Sequence, residues 1–271
     1  ATLMSLTAYA MYYLARSLRL SFASALLAMI LGVIGPTTSV GMFNGQYEMW
    51  FGYVVMIVML SFLVKSNETN SYKVYTFVAV VVSLLAYPFL GVIGVVICLM
   101  YLILMMQIRL AAVYSTIMGG IFGMLVLMKA PIVEGVFLRM FEMVSYSEQS
   151  WNVMKKLSDT MIYWSQGRYC DWMLVGVACL GVLMVKNKKI VGLMLVTLVL
   201  GIVGVFVGKW LIADRIMVVM GLGWMLGAAC IGERISEGRK WIIAVLLMIM
   251  MKVNVTVKLV MLAAQAMGYG G

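Results

Sequence analysis

Long apolar runs, separated by short polar breaks, organise this chain. The clearest breaks are residues 65–73 and 186–189, and the runs between breaks approach the roughly 20 residues that cross a bilayer. This pattern predicts an all-α protein, a polytopic transmembrane helical bundle of about nine segments. The predicted segments are 20–36, 50–64, 74–87, 89–106, 110–128, 172–185, 190–207, 216–232 and 241–258.

The uncharged stretch from 74 to 106 is too long for a single crossing, because a helix rises about 1.5 Å per residue. Pro88 lies near its middle, and a proline pushes the preceding residue, here Tyr87, away from helical angles. The sequence therefore predicts a break at Tyr87–Pro88. The two resulting segments either cross the membrane separately or form a re-entrant hairpin.

Residues 129–171 differ from the rest because charges interrupt every apolar run. Apolar residues recur there at helical spacing, which predicts two amphipathic helices lying on the membrane surface or packing over the bundle ends. This region separates an N-terminal bundle (1–128) from a C-terminal bundle (172–271). The candidate membrane-interface residues are Phe137, Phe141, Trp151, Lys155, Lys156 and Trp164.

Basic residues cluster on one side of the membrane if the predicted segments alternate in direction. The positive-inside rule then places the N-terminus in the cytosol. Residues 1–19, with three tyrosines and two arginines, are predicted to be interfacial. The basic residues on the cytosolic side are Arg16, Arg19, Lys65, Lys73, Arg109, Lys186, Lys188, Lys189, Arg234, Arg239 and Lys240.

Composition supports a membrane protein and removes most catalytic chemistry. The chain is 65% apolar and 11% charged, with 20 Lys/Arg against 10 Asp/Glu, so we expect an integral membrane protein that meets anionic lipid. RNA contact is the alternative interpretation of the excess of basic residues, although no RNA-binding motif supports it. Because the chain has no histidine, no C-x-x-C pair and no nucleotide-binding or hydrolase motif, we expect no enzymatic activity, cofactor or metal.

Two further patterns provide candidate functional residues. Asp214 and Arg215 form a charged pair beside a predicted segment, which is either a functional ion pair or a helix-end anchor. Glycines four residues apart allow close helix packing or a homo-oligomer interface. The glycine candidates are Gly119, Gly123, Gly204, Gly208, Gly223 and Gly227.

The whole chain resembles the small multi-spanning nonstructural proteins of positive-strand RNA viruses, such as those of flaviviruses. The shared features are short Met- and Val-rich segments, basic turns such as Lys186–Lys189 and interfacial amphipathic helices. The terminal residues Ala1 and Gly270-Gly271 fit excision from a polyprotein. This resemblance implies a non-enzymatic protein of the host endoplasmic reticulum that scaffolds and remodels membrane for viral RNA replication, with other viral replication proteins as partners.

A second resemblance covers residues 80–232. Tyr87-Pro88, Cys170-Asp171-Trp172 and Asp214-Arg215 are similar to motifs in the rear half of polyprenyl-phosphate-sugar-dependent membrane glycosyltransferases. Those enzymes place an acidic residue in a large first outer loop, where this chain offers only Glu48. The alternative function is therefore an accessory or degenerate subunit of such an enzyme. A pore or transporter lined by Lys252 and Lys258 is a further alternative.

We predict that a synthetic peptide of residues 131–166 folds and binds on anionic vesicles. Replacing Phe141 or Trp151 by Asp removes apolar area, which contributes roughly 25 cal/mol per Å², and should weaken binding strongly. Charge reversal at Lys155 and Lys156 should weaken it modestly, because each basic residue near anionic lipid contributes about 1 kcal/mol. Circular dichroism and vesicle co-sedimentation measure both effects, and a peptide that stays unstructured and unbound would exclude surface binding.

Overall fold

A computed structural model describes residues 2–34, 47–66, 68–127, 172–184, 187–207 and 210–235. Across those residues the regular elements are helices, joined by turns of a few residues wherever both neighbours are described. The helices are α1 (Thr2–Ser17), α2 (Phe22–Ile34), α3 (Tyr47–Lys65), α4 (Asn70–Ala86), α5 (Pro88–Leu104), α6 (Ile108–Leu127), α7 (Trp172–Met184), α8 (Lys188–Val207), α9 (Trp210–Ala229) and α10 (Gly232–Ile235).

The predicted break at Tyr87–Pro88 is confirmed. Tyr87 has extended backbone angles (φ −155°, ψ 95°), and Pro88 begins α5, where its missing N–H is not needed. A second break separates α5 from α6 at Met106, a non-glycine residue with φ 58°. There the N–H groups of Met106 and Gln107 donate to the carbonyls of Ile103 and Leu102, which is the bonding of a Schellman cap.

The prediction of a polytopic transmembrane bundle is wrong. Within the described ranges, no helix combines the length and the hydrophobicity that crossing a membrane requires. Several apolar runs are divided into helices of 13 to 17 residues, among them α2, α4, α5 and α7. The length of an apolar run does not identify a membrane span, because an apolar helix buried against other helices has the same composition. The described helices accordingly give no support to the expected integral-membrane localisation.

Helix α3 lies at the centre of the N-terminal helices and contacts α1, α4 and α5. Its side chains Trp50, Tyr53, Met56 and Leu60 are fully buried. Burying a large apolar side chain contributes about 1.5–3 kcal/mol, so this helix supplies a large share of the core. Trp50 and Tyr53 also pack edge to face, with ring centroids 5.1 Å apart.

Helix α1 belongs to this core, although the sequence predicts an interfacial segment over residues 1–19. Met11, Leu14 and Ala15 of α1 are fully buried, and the helix packs against α2 and α3. Tyr9, by contrast, is 67% exposed. The tyrosines and arginines that suggested an interface therefore occupy one side of a helix whose other side is core.

Glycines bring α9 against α7 and α8. A Cβ atom at Gly181 of α7 would overlap the backbone carbonyl oxygen of Gly227 in α9. A Cβ at Gly227 would lie 2.7 Å from Cε of Met194 in α8, and a Cβ at Gly223 would overlap Oγ1 of Thr197. These contacts leave no room for a larger residue, so α9 packs at backbone distance only because glycines occupy these positions.

We predict that Gly181→Ala lowers the free energy of unfolding by about 1–3 kcal/mol, because the new methyl group meets backbone that cannot rotate away. Gly119→Ala in α6 is the matched control, since a Cβ there would meet nothing within 4 Å. Alanine should stabilise that helix by up to about 1 kcal/mol. Thermal unfolding of the full chain, followed by circular dichroism, distinguishes the two. Equal midpoints would contradict the close approach of α7 and α9.

Candidate functional site

Segments that are distant in sequence meet at one end of the helices, which we call the polar end: residues 16–21, 64–66 and 187–189, with Glu68 and Glu233. Nδ2 of Asn187 donates a hydrogen bond of 2.9 Å to the carbonyl of Leu18, just past α1. Nζ of Lys189 donates a bond of 3.0 Å to the carbonyl of Val64 in the last turn of α3. Carbonyls at helix ends have no helical partner, so these side chains satisfy them and fix α8 beside α1 and α3.

Ser21 caps the N-terminus of α2. Its Oγ accepts a hydrogen bond of 3.2 Å from the N–H of Ser24, and its own N–H donates to Oε1 of Glu233 at 2.5 Å. Glu233 lies in the short helix α10, and Gly232 beside it lies so close to Ser24 that a Cβ would be 2.6 Å from the Ser24 nitrogen. The start of α2 is therefore fixed by a half-buried carboxylate from the far end of the described chain.

Lys65 lies among aromatic rings at the polar end. Its Nζ is 4.6 Å from the ring centroid of Tyr13 and 5.5 Å from that of Tyr72. Phe62 stacks on Tyr72 and meets Tyr13 edge to face. A cation over aromatic rings is stabilised by about 0.5–1 kcal/mol at an exposed site. Lys65 is thus a structural cation that joins α1, α3 and α4.

Arg19 forms an exposed ion pair at the polar end. Its guanidinium lies 3.1 Å from Oε1 of Glu68, and its side chain is 76% exposed. Arg19 also has a positive φ of 61°, and the N–H groups of Arg19 and Leu20 close a Schellman cap on α1. An exposed pair of this kind contributes at most about 1 kcal/mol, so the backbone cap is the larger structural role of Arg19.

The side of the molecule formed by α4 and α6 exposes large apolar side chains, and we call it the apolar flank. The two helices are linked where the Tyr114 hydroxyl donates a hydrogen bond of 2.6 Å to the carbonyl of Lys73. The exposed flank residues are Val74, Val78, Val82 and Leu85 of α4 with Val113, Ile117 and Met124 of α6.

Helix α6 buries only a narrow strip against the other described helices. Ala111, Tyr114 and Met118 are buried, three and four residues apart, whereas most of the remaining described side chains of α6 are exposed. Arg109 is the only charged residue of this helix. A helix that faces water normally carries charged residues on its outer face, so the outer face of α6 lacks the usual adaptation to water.

The glycine candidates fall into different environments. Gly223 and Gly227 lie in the close packing of α9 described above. Gly119 and Gly123 lie on α6, where an added Cβ would meet nothing within 4 Å, so they bring no described helix close. Gly204 lies in α8 and Gly208 lies outside the described residues.

The other candidates are largely outside the described part of the chain. This holds for the whole 129–171 region with its candidates Phe137, Phe141, Trp151, Lys155, Lys156 and Trp164, and for Cys170 and Asp171. Asp214 and Arg215 lie within α9, in its second turn, rather than in a polar loop before it. The lysines Lys252 and Lys258 also lie outside the described residues.

The described part of the chain offers no group of metal ligands and no reactive thiol at Cys98 or Cys230. Among the described residues, no three His, Cys, Asp or Glu side chains are grouped as a metal would require. Cys98 is fully buried, and this burial raises its thiol pKa to about 12. Burial and the neighbouring carboxylate of Glu233 raise the pKa of the Cys230 thiol to about 12. Both thiols therefore stay protonated and unreactive near neutral pH.

Sequence reasoning missed the polar residues that organise the polar end. The sequence places Ser21 inside the predicted segment 20–36 and Asn187 and Glu233 in turns, and it gives none of them a bonding partner. Ser21 and Asn187 each directly precede an apolar run, which is the usual position of an N-cap residue, so a local signal for both existed. No local signal identifies Glu233, because its partner Ser21 is 212 residues away in the sequence.

Comparisons of this chain with protein-family models, with curated proteins and with solved structures found no match.

We predict that Glu233→Ala lowers the free energy of unfolding by about 1–3 kcal/mol, because it leaves the half-buried Ser21 N–H without its acceptor. Glu68→Ala is the matched control, since it removes an exposed carboxylate from the same end and should cost at most about 1 kcal/mol. Chemical unfolding of the two variants measures both values. A cost for Glu68→Ala as large as that for Glu233→Ala would contradict this assignment.

Proposed function

We propose that this protein acts without catalysis, as a membrane-associated component of the RNA replication complex of a positive-strand virus, binding and remodelling the endoplasmic-reticulum membrane. The observation that carries the proposal is the apolar flank. Its exposed side chains on α4 and α6 are large and uncharged, and Leu85 and Met124 are 65% and 69% exposed. Extensive exposed apolar surface marks sites of protein or membrane contact.

The position of charge favours lipid as the main contact of this flank. Lys73 and Arg109 lie in the first turns of α4 and α6, and the flank residues follow them along the same helices. Tyr72 and Tyr75 lie next to Lys73. Basic and aromatic residues at one margin of an apolar surface are typical of the contact with lipid headgroups. The flank would then meet acyl chains while its margin meets anionic headgroups.

The described chemistry also favours a scaffold over an enzyme. The polar side chains of the polar end bind helix-terminal backbone groups or aromatic rings, as Asn187, Lys189 and Lys65 do. Side chains used in this way are not free to bind substrate. Partners in this proposal are the bilayer and other proteins of the replication complex.

We predict that the double variant Val78→Asp, Val82→Asp loses membrane association of the full chain expressed in cells. Each aspartate placed in hydrocarbon costs about 2.5 kcal/mol or more, so the membrane-bound fraction in a flotation gradient should fall at least tenfold. The matched control is Ser115→Asp, Thr116→Asp, which adds the same charge at two exposed polar positions of α6 that are not flank residues.

Electron microscopy of the endoplasmic reticulum provides the second measurement. Cells with the unmodified chain and the control variant should show altered reticulum, and cells with the flank variant should not. Unchanged flotation of the flank variant would show that the flank does not bind lipid. Normal reticulum around a membrane-bound chain would exclude remodelling.

A further inference from the structure

A cavity of about 330 Å³ lies between α7, α8 and α9. Its size is in the range of small-molecule sites, which are roughly 300–1,000 Å³. Cys179 and Leu183, two of its lining residues, are exposed, so the cavity opens to the surface along α7. Its wall includes Val182 and Leu183 of α7, Val191 and Leu195 of α8, and Met220 and Trp224 of α9.

The polar atoms of this wall are already used or out of reach. Oγ1 of Thr197 donates a hydrogen bond of 3.0 Å to the carbonyl of Met194 in its own helix. The indole nitrogen of Trp224 is buried. The cavity wall therefore presents hydrocarbon and sulfur to a ligand. An apolar chain is the ligand group that matches this wall.

Lys188 lies one helical turn before the part of α8 that lines this cavity. It is the first residue of α8 and is exposed, and none of the described carboxylates pairs with it. Val191 and Leu195, which line the cavity, follow Lys188 by three and seven residues, so all three lie on one face of α8. Leu183, which is 81% exposed, lies near the end of α7 that adjoins Lys188.

We propose that this cavity binds a single long-chain fatty acid, with the acyl chain between α7, α8 and α9 and the carboxylate beside Lys188. The lining of α8 runs from Val191 to Leu198 and extends roughly 10 Å along the helix axis. A space of this depth covers about half of one long acyl chain, and the rest would leave through the opening along α7; a phospholipid would need room for a second chain as well. The inference goes beyond membrane remodelling and does not depend on it.

The test is photo-crosslinking of the purified full chain with a stearic acid that carries a diazirine on its chain, followed by peptide mass spectrometry. Labelling should concentrate on α7, on the lining part of α8 and on residues 220–224, and an excess of plain stearate should remove it. A photoreactive phosphatidylserine, used in parallel, should label these positions weakly. Preferential labelling by the phospholipid, or labelling that stearate does not displace, would overturn the proposal.

Two variants of α8 test the cavity itself. Val191→Phe narrows it at the end next to Lys188 and should reduce labelling about tenfold, since the acyl chain loses part of its apolar contact there. Val199→Phe is the matched control, because Val199 is exposed on the same helix and does not line the cavity. Equal labelling of the two variants would show that the chain binds elsewhere.

A second measurement needs no change to the cavity and so remains informative if Val191→Phe fails to fold. In a Cys170→Ser background, maleimide should react with Cys179, which is exposed and lines the cavity, rather than with the buried thiols Cys98 and Cys230. Stearate should slow this reaction several-fold by covering Cys179. An unchanged rate at saturating stearate would contradict the proposal.

The headgroup position is tested by charge. Lys188→Glu should weaken stearate labelling about fivefold or more while leaving the labelling by a neutral photoreactive long-chain alcohol unchanged. Ser115→Glu, which adds a carboxylate at an exposed position of α6, is the matched control and should change neither. If Lys188→Glu and Ser115→Glu behave alike, the carboxylate does not lie beside Lys188.

Discussion

Helix ends carry backbone groups without helical partners, and an apolar chain has few polar side chains with which to satisfy them. The polar end meets this constraint with a small number of bonds between distant segments. Asn187 and Lys189 donate to carbonyls just past α1 and in the last turn of α3, and Glu233 accepts the N–H of Ser21 at the start of α2. Each bond satisfies a helix terminus and also fixes one helix beside another. The arrangement of α1, α2, α3 and α8 depends on these contacts.

Away from the polar end, glycines decide how closely the helices approach one another, because a glycine has no side chain. The backbone of α9 reaches that of α7 because Gly181 and Gly227 face each other, and it reaches α8 because Gly223 makes room for Thr197. Flexible methionines such as Met194 and Met220 fill the irregular space around these contacts. The same three helices leave the cavity beside Trp224 unfilled. Glycines thus form the close contacts between these helices, and one of them, Gly223, also lines the cavity.

The two proposed binding surfaces differ in shape, but both combine an apolar region with a nearby cation. The apolar flank is a broad exposed surface with basic residues at its margin, and the cavity is a smaller apolar space, open along α7, with Lys188 one turn before its lining residues on α8. In both cases an apolar region lies next to a cation, which matches an amphiphile with an anionic head. The flank is suited to many lipids at once, whereas the cavity is suited to one chain.

The sequence by itself determined that the chain is helical and where several helices begin and end. Pro88 forces a break after Tyr87, Asn187 caps α8, and the spacing of Gly223 and Gly227 indicates close packing, because each of these effects acts within a few residues along the chain. Gly119 and Gly123 have the same spacing yet face open space, since spacing does not reveal whether a partner helix lies opposite. Likewise, apolar run length did not distinguish a buried helix from a membrane span. Only the tertiary structure decided which apolar faces are covered, and it alone brought Glu233 to Ser21 and Gly181 to Gly227, because these residues are far apart in sequence and lie on different elements.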